Sequence, residues 1–268
     1  MRALLMACHP LPAAAVTTLT TVLAAGAGVH GALLWLLAAA LLSGQLCVGW
    51  VNDLLDRDRD RAVGRRDKPL AAGLLPPRTV ARAAAAAGAA CVPLSLSLGT
   101  APGLCHLIAV AAALAYDVGL KRTIWSWLPY AVAFGLLPVV VWLVSPADGL
   151  PPTWLIAAGS LLGIGAHGAN VLPDYERDRA TGVLGLPQRL GLPMLRLVST
   201  GALLAALALL TFGPSGTPQG WEWAAFGVGC VLAAIAAAGP MDGRLSFPAV
   251  IGIGALAVAV LVLRGTVG

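Results

Sequence analysis

An all-α, polytopic membrane protein of about nine spanning helices in a bundle is the architecture this sequence predicts. Three observations point to it. The 268 residues are 59% hydrophobic and only 11% charged, and a mean hydropathy of +0.86 puts the chain among membrane proteins. Long uncharged runs recur at spanning length, which takes roughly 20 apolar residues for about 30 Å of hydrocarbon. The cations also crowd onto one side once those runs alternate across a bilayer.

The predicted spans are 10–28, 32–54, 79–99, 103–120, 126–145, 153–175, 192–212, 221–239 and 245–263. Residues 1–9 form a short cytoplasmic lead, because His9-Pro10 interrupts the apolar run too early for a signal peptide. The first span ends at Gly26-Ala27-Gly28. The second carries Gln45, Asn52 and Asp53 towards its end, and the loop 62–78 that follows is too polar and too broken by Gly and Pro to span. The fourth span ends in Tyr116-Asp117 and leads to Lys121-Arg122. The fifth contains Pro129 and Pro138 and is expected to kink at both. Residues 145–153 form an outside loop, and the sixth span leads into the loop 180–191. Spans seven to nine are nearly featureless. Gly and Pro number 32 and 19, a load that packed spanning helices tolerate. No soluble domain stands out, so residues 1–268 are expected to form one membrane domain.

A net charge of +5 and a pI near 9.3 would suit nucleic acid by number alone. With the N-terminus inside, however, sixteen of the seventeen Lys and Arg fall on one face: Arg2, the eight cations from Arg57 to Arg82, Lys121, Arg122, Arg177, Arg179, Arg189, Arg196 and Arg244. Only Arg264 lies opposite. This is the positive-inside pattern of a cell (inner) membrane protein, with membrane lipid headgroups as contacts and no nucleic acid partner. The five cysteines are scattered without a C-x-x-C and read as core residues.

One stretch breaks the apolar monotony. Asn52 to Gly73 reads NDLLDRDRDRAVGRRDKPLAAG, and adding 118 carries Asn52, Asp56, Asp60, Gly64, Pro69 and Gly73 onto Asn170, Asp174, Asp178, Gly182, Pro187 and Gly191. An offset containing four spans gives a parallel repeat, so both copies face the cytoplasm. At 3.6 residues per turn, Asn52, Asp56 and Asp60 share a helix face joined by Asp53, and Asn170, Asp174 and Asp178 share another. Carboxylates so close need a cation. Hard oxygen ligands suit Mg²⁺, which binds a few carboxylates together with substrate phosphate oxygens. Two such patches facing each other describe a diphosphate site, with Lys68, Lys121 and Arg122 completing it and Arg65 and Arg66 behind. The arginines between the aspartates (Arg57, Arg59, Arg61, Arg177, Arg179) could alternatively pair with them at helical spacing, as in an ordinary solvated loop. Two copies in matching register argue against that reading.

These residues carry a resemblance. Asn52-Asp53-x2-Asp56-x3-Asp60 resembles the N-D-x-x-D-x-x-x-D motif of the UbiA superfamily of intramembrane prenyltransferases, and Asp174-x3-Asp178 resembles its second motif. Tyr116 with Lys121-Arg122 is similar to the segment after the family's fourth span, with one residue more between Tyr and Lys than in many members. The resemblance implies a helical bundle around a cavity open to lipid, and Mg²⁺-dependent ionisation of a polyprenyl diphosphate followed by attack of an aromatic or other lipophilic acceptor. Carried over, Asn52, Asp56, Asp60, Asp174 and Asp178 hold metal and diphosphate with Asp53 and Asn170 in support. Lys121 and Arg122 bind the diphosphate, and Tyr116 lies near the allylic carbon. The alternative within the superfamily is a terpene cyclase that needs no acceptor. Where many members have Arg-Pro before the first span, this chain has His9-Pro10, which speaks against a carboxylate-bearing acceptor.

Weaker signals remain. His167, one turn before Asn170, and His106 lie in predicted spans and suit either the cavity or helix–helix hydrogen bonds. Trp125, Trp127, Trp142, Trp154, Trp221 and Trp223 sit near span ends as an interfacial belt, with Trp125 or Trp127 also able to face a carbocation. A transporter would need a polar pathway that spans seven to nine lack. A membrane phosphotransferase would need a D-G-x-x-A-R-type pattern, whereas Asp60 is followed by Arg61-Ala62-Val63.

Overall fold

The computed structural model describes residues 2–147, 149–240 and 244–265. Among these residues all regular structure is helical. The α-helices are α1 (Arg2–Met6), α2 (Pro10–Gly26), α3 (Gly31–Ala62), α4 (Pro77–Leu96), α5 (Thr100–Val118), α6 (Leu128–Val144), α7 (Thr153–Val171), α8 (Tyr175–Ala180), α9 (Leu186–Leu190), α10 (Leu192–Phe212), α11 (Gly220–Ala238) and α12 (Ser246–Arg264). Seven of the expected spans are long and apolar enough to cross a membrane, counting Thr153–Ala180 as one. The other two, α2 and α6, are apolar helices of 17 residues, at the lower limit for spanning.

Prolines in the first turn open α2, α4, α6 and α10, where the missing N–H costs no hydrogen bond. Pro129 is one of these. It starts α6 rather than kinking it, which corrects the expectation from sequence, while Pro138 does lie inside the helix. The largest departure in length is α3, which runs 32 residues and carries the first acidic motif on from its apolar run without a break.

Sequential helices pack side by side from α2 through α7, then through α10, α11 and α12, and α12 returns to pack on α2, closing a ring. The contacts α3–α5, α2–α6 and α7–α12 cross its interior. Close backbone approach fixes one seam: a Cβ on Gly159 or Gly163 of α7 would strike the Phe134 or Tyr130 carbonyl of α6. That approach is the means by which α6 delivers its aromatic side chains beside His167. On the other flank Leu4, Ala7 and Cys8 pack with Trp50, Leu70 and Val80. Trp50 Nε1 donates to the Leu4 carbonyl at 2.9 Å, and Leu70 pins the loop 62–78 back onto the bundle. The C-terminal ends of α3, α5 and α7 therefore meet at one end of the ring. At the opposite end, buried Glu222 pairs with Arg264 at 2.6 Å.

Candidate active site

A cavity of about 510 Å³ runs from the polar end of the ring into its apolar interior, a size typical of small-ligand sites. Asn52, Asp56, Lys68, Lys121, Asn170, Asp174 and Asp178 all line it, as does Tyr116. Leu19, Leu41, Leu137, Leu155, Val258 and Leu261 line the interior. The two motifs, 118 residues apart in sequence, thus face one space.

The first motif is set on a continuous helix, so the four-residue spacing does put its acids on one face. Asp56 is the hub. Its Oδ1 accepts from Lys121 Nζ at 2.6 Å, and its Oδ2 accepts from Arg59 at 3.0 Å and from Asn52 at 3.5 Å. Asn52 also donates to Asp117 at 2.6 Å. Asp53 and Asp60 are buried but lie behind the cavity wall, where Lys68 sits 3.7 Å from Asp53 and 3.0 Å from Asp60. Asp53 Oδ2 is buried without a hydrogen-bond partner.

The second motif is not on one helix, contrary to its predicted continuation of the sixth span. Pro173 has no N–H to continue the ladder, so α7 ends at Val171, a 3₁₀ turn covers Leu172–Asp174, and α8 starts at Tyr175. Asp174 accepts from Arg65 and from Arg177, each at 2.7 Å. Asp178 accepts from Arg59 at 3.1 Å and from Gln188 at 3.1 Å. Arg65, in the first motif's loop, also pairs with Asp67 at 2.7 Å. That hydrogen bond, with Asp174 beside it, holds the guanidinium above its usual range, and Arg65 in turn lowers Asp67.

Three loops are stitched together at this end. A Cβ on Gly185 would meet the Lys121 carbonyl. Ser126 Oγ accepts from the Leu186 N–H at 3.1 Å and lies 3.2 Å from His167 Nε2. Lys121 is buried on the 3₁₀ turn Leu120–Arg122, but the next side chain, Arg122, is exposed and off the cavity wall. Of the expected pair, only Lys121 lines the cavity. Below this layer Tyr116 meets Tyr130 edge-on at 5.2 Å and His167 at 5.6 Å, and Tyr130 stacks on Phe134 at 6.4 Å. The aromatic faces sit where the polar mouth gives way to the apolar interior. Trp125, by contrast, is exposed, and neither Trp125 nor Trp127 lines the cavity.

His9 lines the cavity in the left-handed region, at φ 55° and ψ 66°, where a non-glycine residue is strained. Burial pushes its imidazole down to about 4, so it faces the cavity neutral. His106 also lines the wall and bonds through Nδ1 to Ser95 Oγ at 2.8 Å. Among the described residues no three of His, Cys, Asp and Glu are grouped closely enough to hold a metal ion. Asp117, Gln188 and the bridging reach of Arg59 were not singled out from sequence. Arg59 lies one turn after Asp56 and Asp117 one turn before Lys121, which are the spacings that could have exposed them.

The UbiA prenyltransferase family model matches residues 13–246. The bacteriochlorophyll synthase 33 kDa chain of Rhodobacter capsulatus is 31% identical over 161 residues, covering 55% of this chain and 52% of that one. Its counterpart in Cereibacter sphaeroides is 32% identical over 166 residues, covering 58% and 54%. The chain therefore spans about half the length of the curated relatives it matches. A UbiA homolog from Archaeoglobus fulgidus bound to GPP and Mg²⁺ superposes with a TM-score of 0.75 at 16% identity, covering 98% of each chain. The apo UbiA homolog from Aeropyrum pernix K1 gives 0.72 at 21%, covering 93% of this chain and 97% of that one. With the fold shared by the solved structures and the family model spanning most of the sequence, this chain belongs to the UbiA prenyltransferase family.

Proposed function

We propose that the chain ionises an isoprenoid diphosphate at the cytoplasmic end of its cavity and transfers the prenyl group to a lipophilic acceptor. The observation that carries this reading is the single cavity joining both acidic motifs to an apolar interior. Support also comes from the Archaeoglobus fulgidus homolog bound to GPP and Mg²⁺.

The residues fit a divalent metal by their chemistry. Asn52, Asp56, Asp174 and Asp178 offer hard oxygens to the cavity, and Asp53 keeps an unpartnered buried oxygen directly behind them. Mg²⁺ held there would neutralise the diphosphate and lower the energy of its departure. Lys121, buried against Asp56, and Lys68, between Asp53 and Asp60, are positioned to bind phosphate oxygens as point charges. The apolar interior takes the prenyl chain and excludes water from the cation. Tyr116 and Tyr130 present ring faces that stabilise an allylic cation by cation–π attraction. The C–O bond breaks with its electron pair leaving on the diphosphate, and the acceptor nucleophile closes on the allylic carbon. A neutral His9 in place of a cation favours an acceptor without a carboxylate. The cation excess of the connecting loops supports placing this end at the cytoplasmic face of a cell membrane.

The test is to incubate the purified protein with Mg²⁺ and prenyl diphosphates of ten to twenty carbons, with and without phenols, quinone precursors or tetrapyrrole acids. Consumption that depends on an acceptor supports the transferase. A cyclic terpene or terpene alcohol formed without acceptor would replace it with a cyclase.

A further inference from the structure

We propose that Arg59 is an internal counter-ion, spanning both acidic motifs, that must leave them before a divalent cation enters, so that metal and diphosphate bind cooperatively. The inference rests on the diphosphate reading above and adds to it an order of events and a residue.

Arg59 touches more of the site than any other cation. One guanidinium nitrogen, Nη2, lies 3.0 Å from Asp56 Oδ2 and 4.0 Å from Asp60, and the other, Nη1, lies 3.1 Å from Asp178 Oδ1. It therefore joins carboxylates 118 or more residues apart with the planar fork that suits such bridging. The remaining oxygens of this pair are also engaged: Lys121 holds Asp56 Oδ1 and Gln188 holds Asp178 Oδ2. Arg65 and Arg177 share Asp174 Oδ1. A metal ion taking these oxygens competes with the donors already on them.

Displacement is feasible for Arg59 because its side chain borders the cavity and is one-fifth exposed. A metal arriving alone would leave the guanidinium without a partner at the membrane edge. Metal arriving with a diphosphate exchanges partners cleanly: the carboxylates turn to the metal and the guanidinium turns to phosphate oxygens, for which its fork is equally suited. Each ligand then lowers the cost of binding the other, and the coupling is reciprocal. Arg59 is in this sense a positioning residue. It holds the two motifs at bridging distance while neither ligand is present.

The experiment uses full-length protein in detergent. Electron paramagnetic resonance titrates Mn²⁺ onto the wild type and Arg59→Gln without any diphosphate. Retention of radiolabelled geranyl thiolodiphosphate, which does not ionise readily, is then measured with excess Mg²⁺ and with EDTA. The expected result is Mn²⁺ binding at least about fivefold tighter in Arg59→Gln, with Mg²⁺ improving analogue retention several-fold less than in the wild type. Arg59→Lys, which keeps the charge but cannot fork across two carboxylates, should lie between. Should Arg59→Gln fail to fold by thermal melting, Arg59→Lys carries the same comparison. Mn²⁺ binding that is unchanged or weaker in folded variants overturns the inference alone. A wild type that retains no analogue with Mg²⁺ present overturns the diphosphate reading and the inference with it.

Discussion

The two acidic motifs share a sequence pattern and differ in structure, and the difference separates a fixed wall from an open flank. In the first, Asp56 and Asp60 hang from the unbroken α3 with side chains 6% and 4% exposed. In the second, Asp174 and Asp178 stand at 34% and 14%. One position accounts for much of this. Leu55 of the first copy becomes Pro173 in the second, and the helix breaks into a 3₁₀ turn there. The same local pair survives in both: Arg59 reaches Asp56 at i,i+3 and Arg177 reaches Asp174 at i,i+3. Yet Arg59 points inward and crosses to the other motif, while Arg177 remains half exposed. A repeat preserves spacing and local pairing, whereas depth is set by what the surrounding helices do.

That comparison can be broken by substitution. The largest effect is expected at the buried hub: Asp56→Asn should lower diphosphate release about a thousandfold, read by a coupled pyrophosphate assay. Asp174→Asn, on the exposed flank, should cost about a hundredfold in the same assay, and a greater loss there than at Asp56 would reverse the assignment. Pro173→Leu should let α7 run on, carrying Asp174 away from Arg65. The expected loss in kcat is about tenfold, with a thermal midpoint equal to or above that of the wild type, since the substitution removes a helix break worth up to about 3 kcal/mol. The smallest effect belongs to the neighbouring cations. Lys121→Met, which removes a buried partner of Asp56, should lower turnover about fivefold, while Arg122→Gln should change it by less than about twofold, as expected of an exposed surface charge.

The helical class, the membrane-spanning character, the meeting of the two motifs at one cavity and the place of Lys121 in its wall were all legible before any coordinates. Periodicity and charge asymmetry are properties of the chain itself. What was not legible depends on how loops lie against one another. Nothing in Lys121-Arg122 says which side chain turns inward, because that depends on how the 3₁₀ turn lies against the loop around Gly185, which approaches the Lys121 carbonyl closely. Asp53 and Asp60 share the helix face of Asp56 but stand behind the wall, because Leu70 anchors the loop that brings Lys68 in front of them. Pro129 read as a kink and proved to be a helix start, since only the backbone shows where a proline falls in its helix. Arg59 was visible as a local partner for Asp56. Its reach to Asp178 was not, because it needs the two helix ends in register.

The central claim is that both motifs serve one diphosphate. A double-mutant cycle on Mg²⁺-dependent diphosphate release, using Asp56→Asn, Asp174→Asn and the pair together, tests it most directly. Residues acting as a unit are non-additive, so the account predicts a double variant no slower than the slower single one. Losses that multiply, as for two independent sites, would contradict it.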